Sequence, residues 1–224
     1  MKVKDWMTEN VIVLDEDDSV VKAMQVFKEH QIRRIPVVKD GKLVGIITDR
    51  DIKSTTPPKS FSMDMYETYY LISTLKLRDI MTPNPITVFP EDEIEKAAIL
   101  MLEYKISGLP VVDEEKHVLG IITQTDIFKA FVSMSGAYFE GYKVMLSISS
   151  YSDLLKLIEI LKKFNVPIGG LYNLICWKEE DCMEENCKRE VILKLNVDEE
   201  TYNQIKQELC ENFEVYYFNL FKSL

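Results

Sequence analysis

Two periodicities alternate along the chain. Ile35–Val38 and Leu43–Thr48 are short runs of aliphatic and β-branched residues, and the turn Lys39-Asp40-Gly41-Lys42 between them predicts an antiparallel hairpin. Upstream, Val20, Ala23, Met24 and Phe27 recur at helical spacing after the acidic residues Glu16-Asp17-Asp18, read as a first turn that the helix dipole favours. A short extended segment, Val11–Leu14, precedes that helix, and a second helix is predicted to start near Asp49. The unit reads β-α-β-β-α.

The same pattern then returns. With Asp5 set against Asp79, Met7-Thr8 meets Met81-Thr82, Asn10 meets Asn84, Lys22-Ala23 meets Lys96-Ala97, and Pro36-Val37-Val38 meets Pro110-Val111-Val112. Ile86–Phe89 is the second extended segment. Glu91-Asp92-Glu93 after Pro90 is the second acidic turn, and Ile94, Ala97, Ala98 and Met101 form the second helical stripe. One extra residue enters in the turn DEEKH, after which GIITDRDI (Gly45–Ile52) is repeated as GIITQTDI (Gly120–Ile127). A whole supersecondary unit is used twice. The strands LVGII and VLGII are apolar almost throughout, so each copy is expected to pack on the other.

This tandem order, with D-x-M-T at the start, P-V-V in the middle and T-x-x-D at the end, resembles a pair of CBS domains, the Bateman module. The repeats are placed at 1–56 and 77–135. Between them, Pro57-Pro58 breaks structure and SFSMDMYETYYLISTL reads as a helix, making 57–76 a helical insert. The insert, TLKLRDIMTPNPITV and the ending TQTDIFKAFVSMSGA are similar to the AcuB-type (acetoin-utilisation) subfamily. Tyr66–Leu71 is read as packing that could line a dimer contact.

Beyond Gly136, Val144, Leu146 and Ile148 alternate as a strand. Ser152 is the expected cap of a helix through Leu154, Leu155, Ile158 and Leu161, and a strand follows at Gly170–Trp177. Val191, Leu193, Leu195 and Val197 alternate again, then a helix at about Glu199–Cys210 and a strand at Phe213–Phe218 complete β-α-β-β-α-β. Residues 140–224 therefore resemble a ferredoxin-like ACT-type regulatory domain. The loop SISSYSDLLK lacks the Asp-x-Pro-Gly turn that amino-acid-binding ACT domains place beside their ligand. The expected fold class is α/β (α+β): a tandem CBS pair, then an ACT-type domain.

Charge and cysteine usage narrow the function. The 224 residues are 46% apolar, and 37 acidic against 27 basic residues give a formal charge of −10, a field that repels nucleic acid and anionic membranes. No segment has the apolar length of a signal peptide or a membrane span, so a cytoplasmic protein is expected. Cys176, Cys182, Cys187 and Cys210 are expected to be reduced, and their spacing does not suit structural zinc. His30 and His117 are read as surface residues. Neither stands beside a nucleophile or paired carboxylates, so neither a catalytic nor a metal site is expected.

The repeated octet carries the candidate chemistry. At Thr48 a strand gives way to a helix, where a hydroxyl, backbone N–H groups and the dipole suit a phosphate. One turn on, the Asp51 carboxylate can accept bonds from both hydroxyls of a ribose; Thr123 and Asp126 repeat the pair. T-x-x-D is equally close to a capping box that needs no ligand. The resemblance to CBS pairs implies adenosine-type ligands (AMP, ADP, ATP or S-adenosylmethionine), with adenine against Val11-Ile12 and Pro85-Ile86. Arg33, Arg34 and Arg50 stand in the first copy where the second has Ser107, Gly108 and Thr125, so the first cleft is expected to prefer a phosphorylated ligand if each copy lines its own cleft. Alternatively these arginines are solvated surface charges. The reading is a non-catalytic homodimeric sensor that requires no cofactor, takes an adenine nucleotide or S-adenosylmethionine as regulatory ligand, and signals to an unidentified protein partner. The alternative is a ligand-free assembly module.

Overall fold

A computed structural model describes residues 1–55, 72–135, 140–166, 171–175 and 189–221. Pro57-Pro58, Tyr66–Leu71, Cys176, Cys182 and Cys187 lie outside the described residues. The chain divides into two units, Met1–Phe128 and Lys129–Leu224.

The first unit begins with a 3-10 turn, Val3–Asp5, and continues through β1 (Thr8–Glu9), β2 (Leu14–Asp15), α1 (Val20–His30), β3 (Arg34–Lys39), β4 (Lys42–Thr48) and α2 (Asp49–Thr55). The second copy follows as α3 (Leu77–Ile80), β5 (Thr82–Pro83), α4 (Ile94–Glu103), β6 (Gly108–Val112), β7 (Val118–Thr123) and α5 (Gln124–Met134). β2 pairs with β3 in parallel, and β3 with β4 in the predicted antiparallel hairpin. In the second copy Val88 bridges Val111 in parallel, and β6 pairs with β7.

Each copy completes the other's sheet. β5 lies antiparallel on β4, with Gly45 opposite Pro83 and Ile46 opposite Thr82. β1 lies on β7, with Thr8 opposite Ile121 and Glu9 opposite Gly120. The first core consists of Leu14, Val20, Ala23, Ile35, Val37, Ile47 and Ile52 together with Leu77 from the second copy, which is fully buried. The expected mutual packing is thus present, and it runs through exchanged arms.

The glycines that open the octets have a steric reason. A Cβ on Gly45 would fall 2.2 Å from Sδ of Met81, and one on Gly120 would fall 2.7 Å from the Thr8 carbonyl oxygen and 2.9 Å from Sδ of Met7. The crossing arms need that space.

Two sequence expectations shift register. The acidic residues precede the helices: Ser19 caps α1 by accepting the Lys22 N–H, and Glu93 is the cap residue of α4. Asp18 and Asp92 instead tie the preceding turn, accepting the Asp15 N–H at 3.0 Å and the Phe89 N–H at 2.8 Å, and each pairs one turn on with Lys22 or Lys96. Met24 is 43% exposed; Val20 and Ala23 carry the buried stripe.

The second unit contains β8 (Gly141–Ile148), α6 (Tyr151–Lys163), β9 (Leu171–Ile175), β10 (Arg189–Leu195), α7 (Glu199–Asn212) and β11 (Glu214–Phe221). Its antiparallel sheet has the order β11-β8-β10-β9, and Leu157, Ile160 and Leu161 of α6 and Tyr202, Ile205 and Leu209 of α7 join strand residues such as Leu146 and Leu193 in one core. Ser150, not Ser152, caps α6: its hydroxyl accepts the Asp153 N–H while Asp153 accepts the Ser150 N–H. Tyr142 and Tyr202 stack at 3.6 Å. Buried Lys194 donates to the Ser135 carbonyl at 2.6 Å. Among the described residues, no helix is long and apolar enough to cross a membrane.

Candidate functional site

Both T-x-x-D pairs close as caps. Thr48 donates its N–H and its hydroxyl to Asp51 Oδ2, each at 2.7 Å, and the Thr48 hydroxyl oxygen faces the Asp51 N–H at 3.4 Å. Thr123 donates to Asp126 Oδ2 at 3.0 Å from the N–H and 2.7 Å from the hydroxyl. The next amides are also engaged, Asp49 N–H by the Arg33 carbonyl and Gln124 N–H by the Ser107 carbonyl. The amides of Thr48, Asp49, Thr123 and Gln124, which the sequence offered to a phosphate, are therefore already engaged, and α2 opens on two carboxylates, Asp49 and Asp51. A phosphate here would have to rely on side-chain cations. At Asp51 both bonds from Thr48 land on Oδ2, which leaves Oδ1 to accept a sugar hydroxyl.

Around Thr48 and Asp51 lies a cleft of about 960 Å³. From the first copy it takes Arg33, Arg34, Arg50 and Lys53, and from the second it takes Pro85, Ile86 and the loop Tyr104–Gly108. The register explains this composition. β5 runs along β4, and Asn84 then takes a left-handed conformation (φ 48°) with its N–H on the Val44 carbonyl, which leads the chain into Pro85-Ile86 beside the end of β4. Asn10 repeats that conformation (φ 51°) after β1, so Val11 and Ile12 follow the arm on β7, the strand that ends in Thr123. Asparagine tolerates this backbone region better than most residues, which accounts for its recurrence.

Seven of the sequence candidates thus converge on one cleft: Arg33, Arg34, Thr48, Arg50, Asp51, Pro85 and Ile86. Val11 and Ile12 follow the opposite arm, Thr123 ends β7, and Asp126 lies in the first turn of α5, 5% exposed. The premise that each copy lines its own cleft does not hold, because the acid comes from one copy and the apolar pair from the other.

Arg34 crosses furthest. It faces Thr48 in the β3–β4 register, and Gly108 occupies the matching place opposite Thr123. Its guanidinium donates to the Ser107 hydroxyl and fills the space over Gly108, where a Cβ would come within 3.1 Å of its Cδ, Nε and Cζ. Burial first, then Arg33, lowers the Arg34 pKa, while Asp49 and Asp126 oppose the shift. Arg34 is therefore partly desolvated and is not a freely solvated surface charge.

Tyr104 and Lys105 were missed in the sequence. The repeat alignment carries the signal, since they correspond to His30 and Gln31, two residues before the arginine pair, and Lys105 shares with Gln31 the left-handed conformation that ends the helix. Among the described residues, no group of three or more His, Cys, Asp or Glu is placed to hold a metal ion. His117 contacts Asp113 through Nδ1 at 3.0 Å in the β6–β7 turn.

A family model described as CBS domain matches residues 3–55 and 77–133. An inosine-5'-monophosphate dehydrogenase from Korarchaeum cryptofilum is 35% identical over 128 residues, 57% of this chain and 24% of that protein. The chain spans about a quarter of the length of the first curated relatives it matches. Among solved structures, the CBS domain pair of protein MJ0100, in complex with 5'-methylthioadenosine and S-adenosyl-L-methionine, is 33% identical with a TM-score of 0.50, covering 59% of this chain and 97% of that one. CBSX2 of Arabidopsis thaliana in complex with AMP gives the same identity, TM-score and coverage. An acetoin utilization protein, AcuB, from Vibrio cholerae is 27% identical with a TM-score of 0.50, over 60% of this chain and 92% of that one.

Proposed function

The chain belongs to the CBS-domain family, and on that premise we propose that it is a non-catalytic regulatory protein whose tandem pair binds an adenosine-containing ligand in the cleft around Thr48 and Asp51. One observation carries this reading: a sugar-competent carboxylate from the first copy and an apolar pair, Pro85-Ile86, from the second line a single cleft of about 960 Å³. Asp51 Oδ1 accepts the ribose hydroxyls, Pro85 and Ile86 flank the adenine, and Arg33, Arg34 and Arg50 face the ligand's tail. Thr123 and Asp126, with Val11 and Ile12, form the second such site. The complexes of MJ0100 and CBSX2 support this ligand class.

Ligand that touches both copies favours the arrangement in which they are closed, by no more than its differential affinity for that arrangement. The second unit, with its β-α-β-β-α-β order and strand order β11-β8-β10-β9, acts as an ACT-like domain that passes the bound state to a partner through a homodimer. The element order of that unit is the basis for the assignment, and the segment Ser147–Lys156, where β8 passes into α6 without an Asp-x-Pro-Gly turn, argues against an amino-acid ligand.

A second reading has its own observation. The T-x-x-D pairs are already satisfied as caps, as an assembly module without ligand would require. A thermal-shift screen with AMP, ATP, S-adenosylmethionine and methylthioadenosine separates the two, because a ligand at a hundred times its dissociation constant adds about 2.7 kcal/mol. A shift with at least one compound supports the sensor; no shift with any supports the assembly module.

A further inference from the structure

The cleft wall is electropositive in an acidic protein. Arg33, Arg34, Arg50, Lys53 and Lys105 face it against two carboxylates, Asp49 and Asp51, a net of three positive charges in a chain with a formal charge of −10. Lys53 is paired with Asp49 at 3.0 Å, whereas no ion pair or hydrogen bond holds the side chains of Arg33 and Arg50 among the described residues. Arg34 is held differently: packed over Gly108 and bonded to Ser107, it is fixed across both copies. A fork held in place loses less side-chain entropy on meeting an anion than a freely rotating one.

We infer that Arg34 is the specificity-determining residue of the cleft and selects an adenosine ligand with an anionic, phosphate-bearing tail over a cationic sulfonium or neutral thioether analogue. This rests on the adenosine-binding reading above and adds the ligand class. A sulfonium brought beside Arg33, Arg34 and Arg50 meets like charges, while a phosphate meets three guanidinium donors. The selection originates in one sequence difference: the position opposite the strand-end threonine is arginine in the first copy and glycine in the second, and the glycine leaves the space that the arginine occupies.

The test is calorimetric titration of the full chain with ATP, AMP, S-adenosylmethionine and methylthioadenosine, on the wild type, Arg34→Gln and Arg34→Lys. The wild type should bind ATP or AMP at least about tenfold more tightly than either sulfur compound. Arg34→Gln, which removes the charge and shortens the side chain while keeping an N–H donor, should weaken the nucleotides by roughly tenfold to a hundredfold and change methylthioadenosine by less than about threefold, with Arg34→Lys between. The wild type alone provides a check independent of mutant folding: nucleotide affinity should fall with added salt while methylthioadenosine affinity stays level. Sulfur compounds that match the nucleotides in the wild type, or an Arg34→Gln loss equal for all ligands, would overturn the inference and leave the adenosine reading intact. Failure of all four compounds to bind the wild type would overturn both.

Discussion

Asp51 divides its carboxylate between two tasks. Oδ2 holds the Thr48 N–H and hydroxyl, closing the first turn of α2, and in the proposed function Oδ1 accepts from the ligand. Capping and binding are therefore not exclusive, and a substitution here acts on both. Asp51→Ala should weaken adenosine-ligand affinity by roughly tenfold to a hundredfold, as expected for loss of a charged hydrogen bond of about 1.5–3 kcal/mol. Its stability should fall by about 1 kcal/mol through the lost cap, measurable by urea denaturation without ligand. The residue types and spacing of this pair were legible from the repeat. The direction of the amides was not, because a T-x-x-D string reads the same whether its N–H groups face a ligand or their own carboxylate. Nor could the strand pattern of Arg34 reveal that its side chain crosses to Gly108 and Ser107, since such a contact depends on the placement of two copies and not on local period.

At the level of elements, the arms β1 and β5 carry the coupling between copies. Each occupies the space opened by an octet glycine, and the two neighbours differ in compliance. At Gly120 a Cβ would meet the Thr8 backbone, whereas at Gly45 it would meet only the Met81 side chain. Gly120→Ala should thus cost about 1–3 kcal/mol by overpacking, and Gly45→Ala less; chemical denaturation of both variants measures the order. Equal costs would mean that the β1 arm yields as easily as a methionine. The helices and hairpins were legible because apolar period and turn residues are local signals. The arms were not, since a two-residue strand paired to a distant segment, β1 on β7 or β5 on β4, leaves no periodicity. Cap positions slipped for a related reason: aspartates before a helix can begin its first turn or tie the turn before it, and here Asp18 and Asp92 do the latter. In the second unit Asp153 shows the electrostatic consequence of a cap. Bonding from the Ser149 N–H, ahead of other bonds, outweighs burial and holds its carboxyl below the usual carboxylate range. A depressed folded-state pKa contributes stability that is present above the unfolded value of about 4 and is lost as pH falls through the folded one. Unfolding free energy should be level from neutral pH to about 5 and fall below about 4, and Asp153→Asn should make that acid slope shallower. An unchanged slope would remove Asp153 from the account.

Across the whole molecule, two units invite separate transitions. Ligand in the cleft stabilises only the unit that holds it, so saturating ATP or AMP should raise one calorimetric transition by several degrees and leave the other in place. Movement of both together would show that the units unfold as one. The negative charge of the chain as a whole and the positive wall of the cleft imply that anionic ligands are attracted locally in spite of the overall field, so binding is expected to be sensitive to ionic strength. The most direct test of the central claim is a co-crystal or soaked structure with AMP. The account predicts adenylate density in the cleft, with ribose hydroxyls on Asp51, the base against Pro85 and Ile86, and the phosphate within hydrogen-bond reach of Arg34. Density elsewhere, or a cleft without adenylate density at saturating AMP, would contradict it.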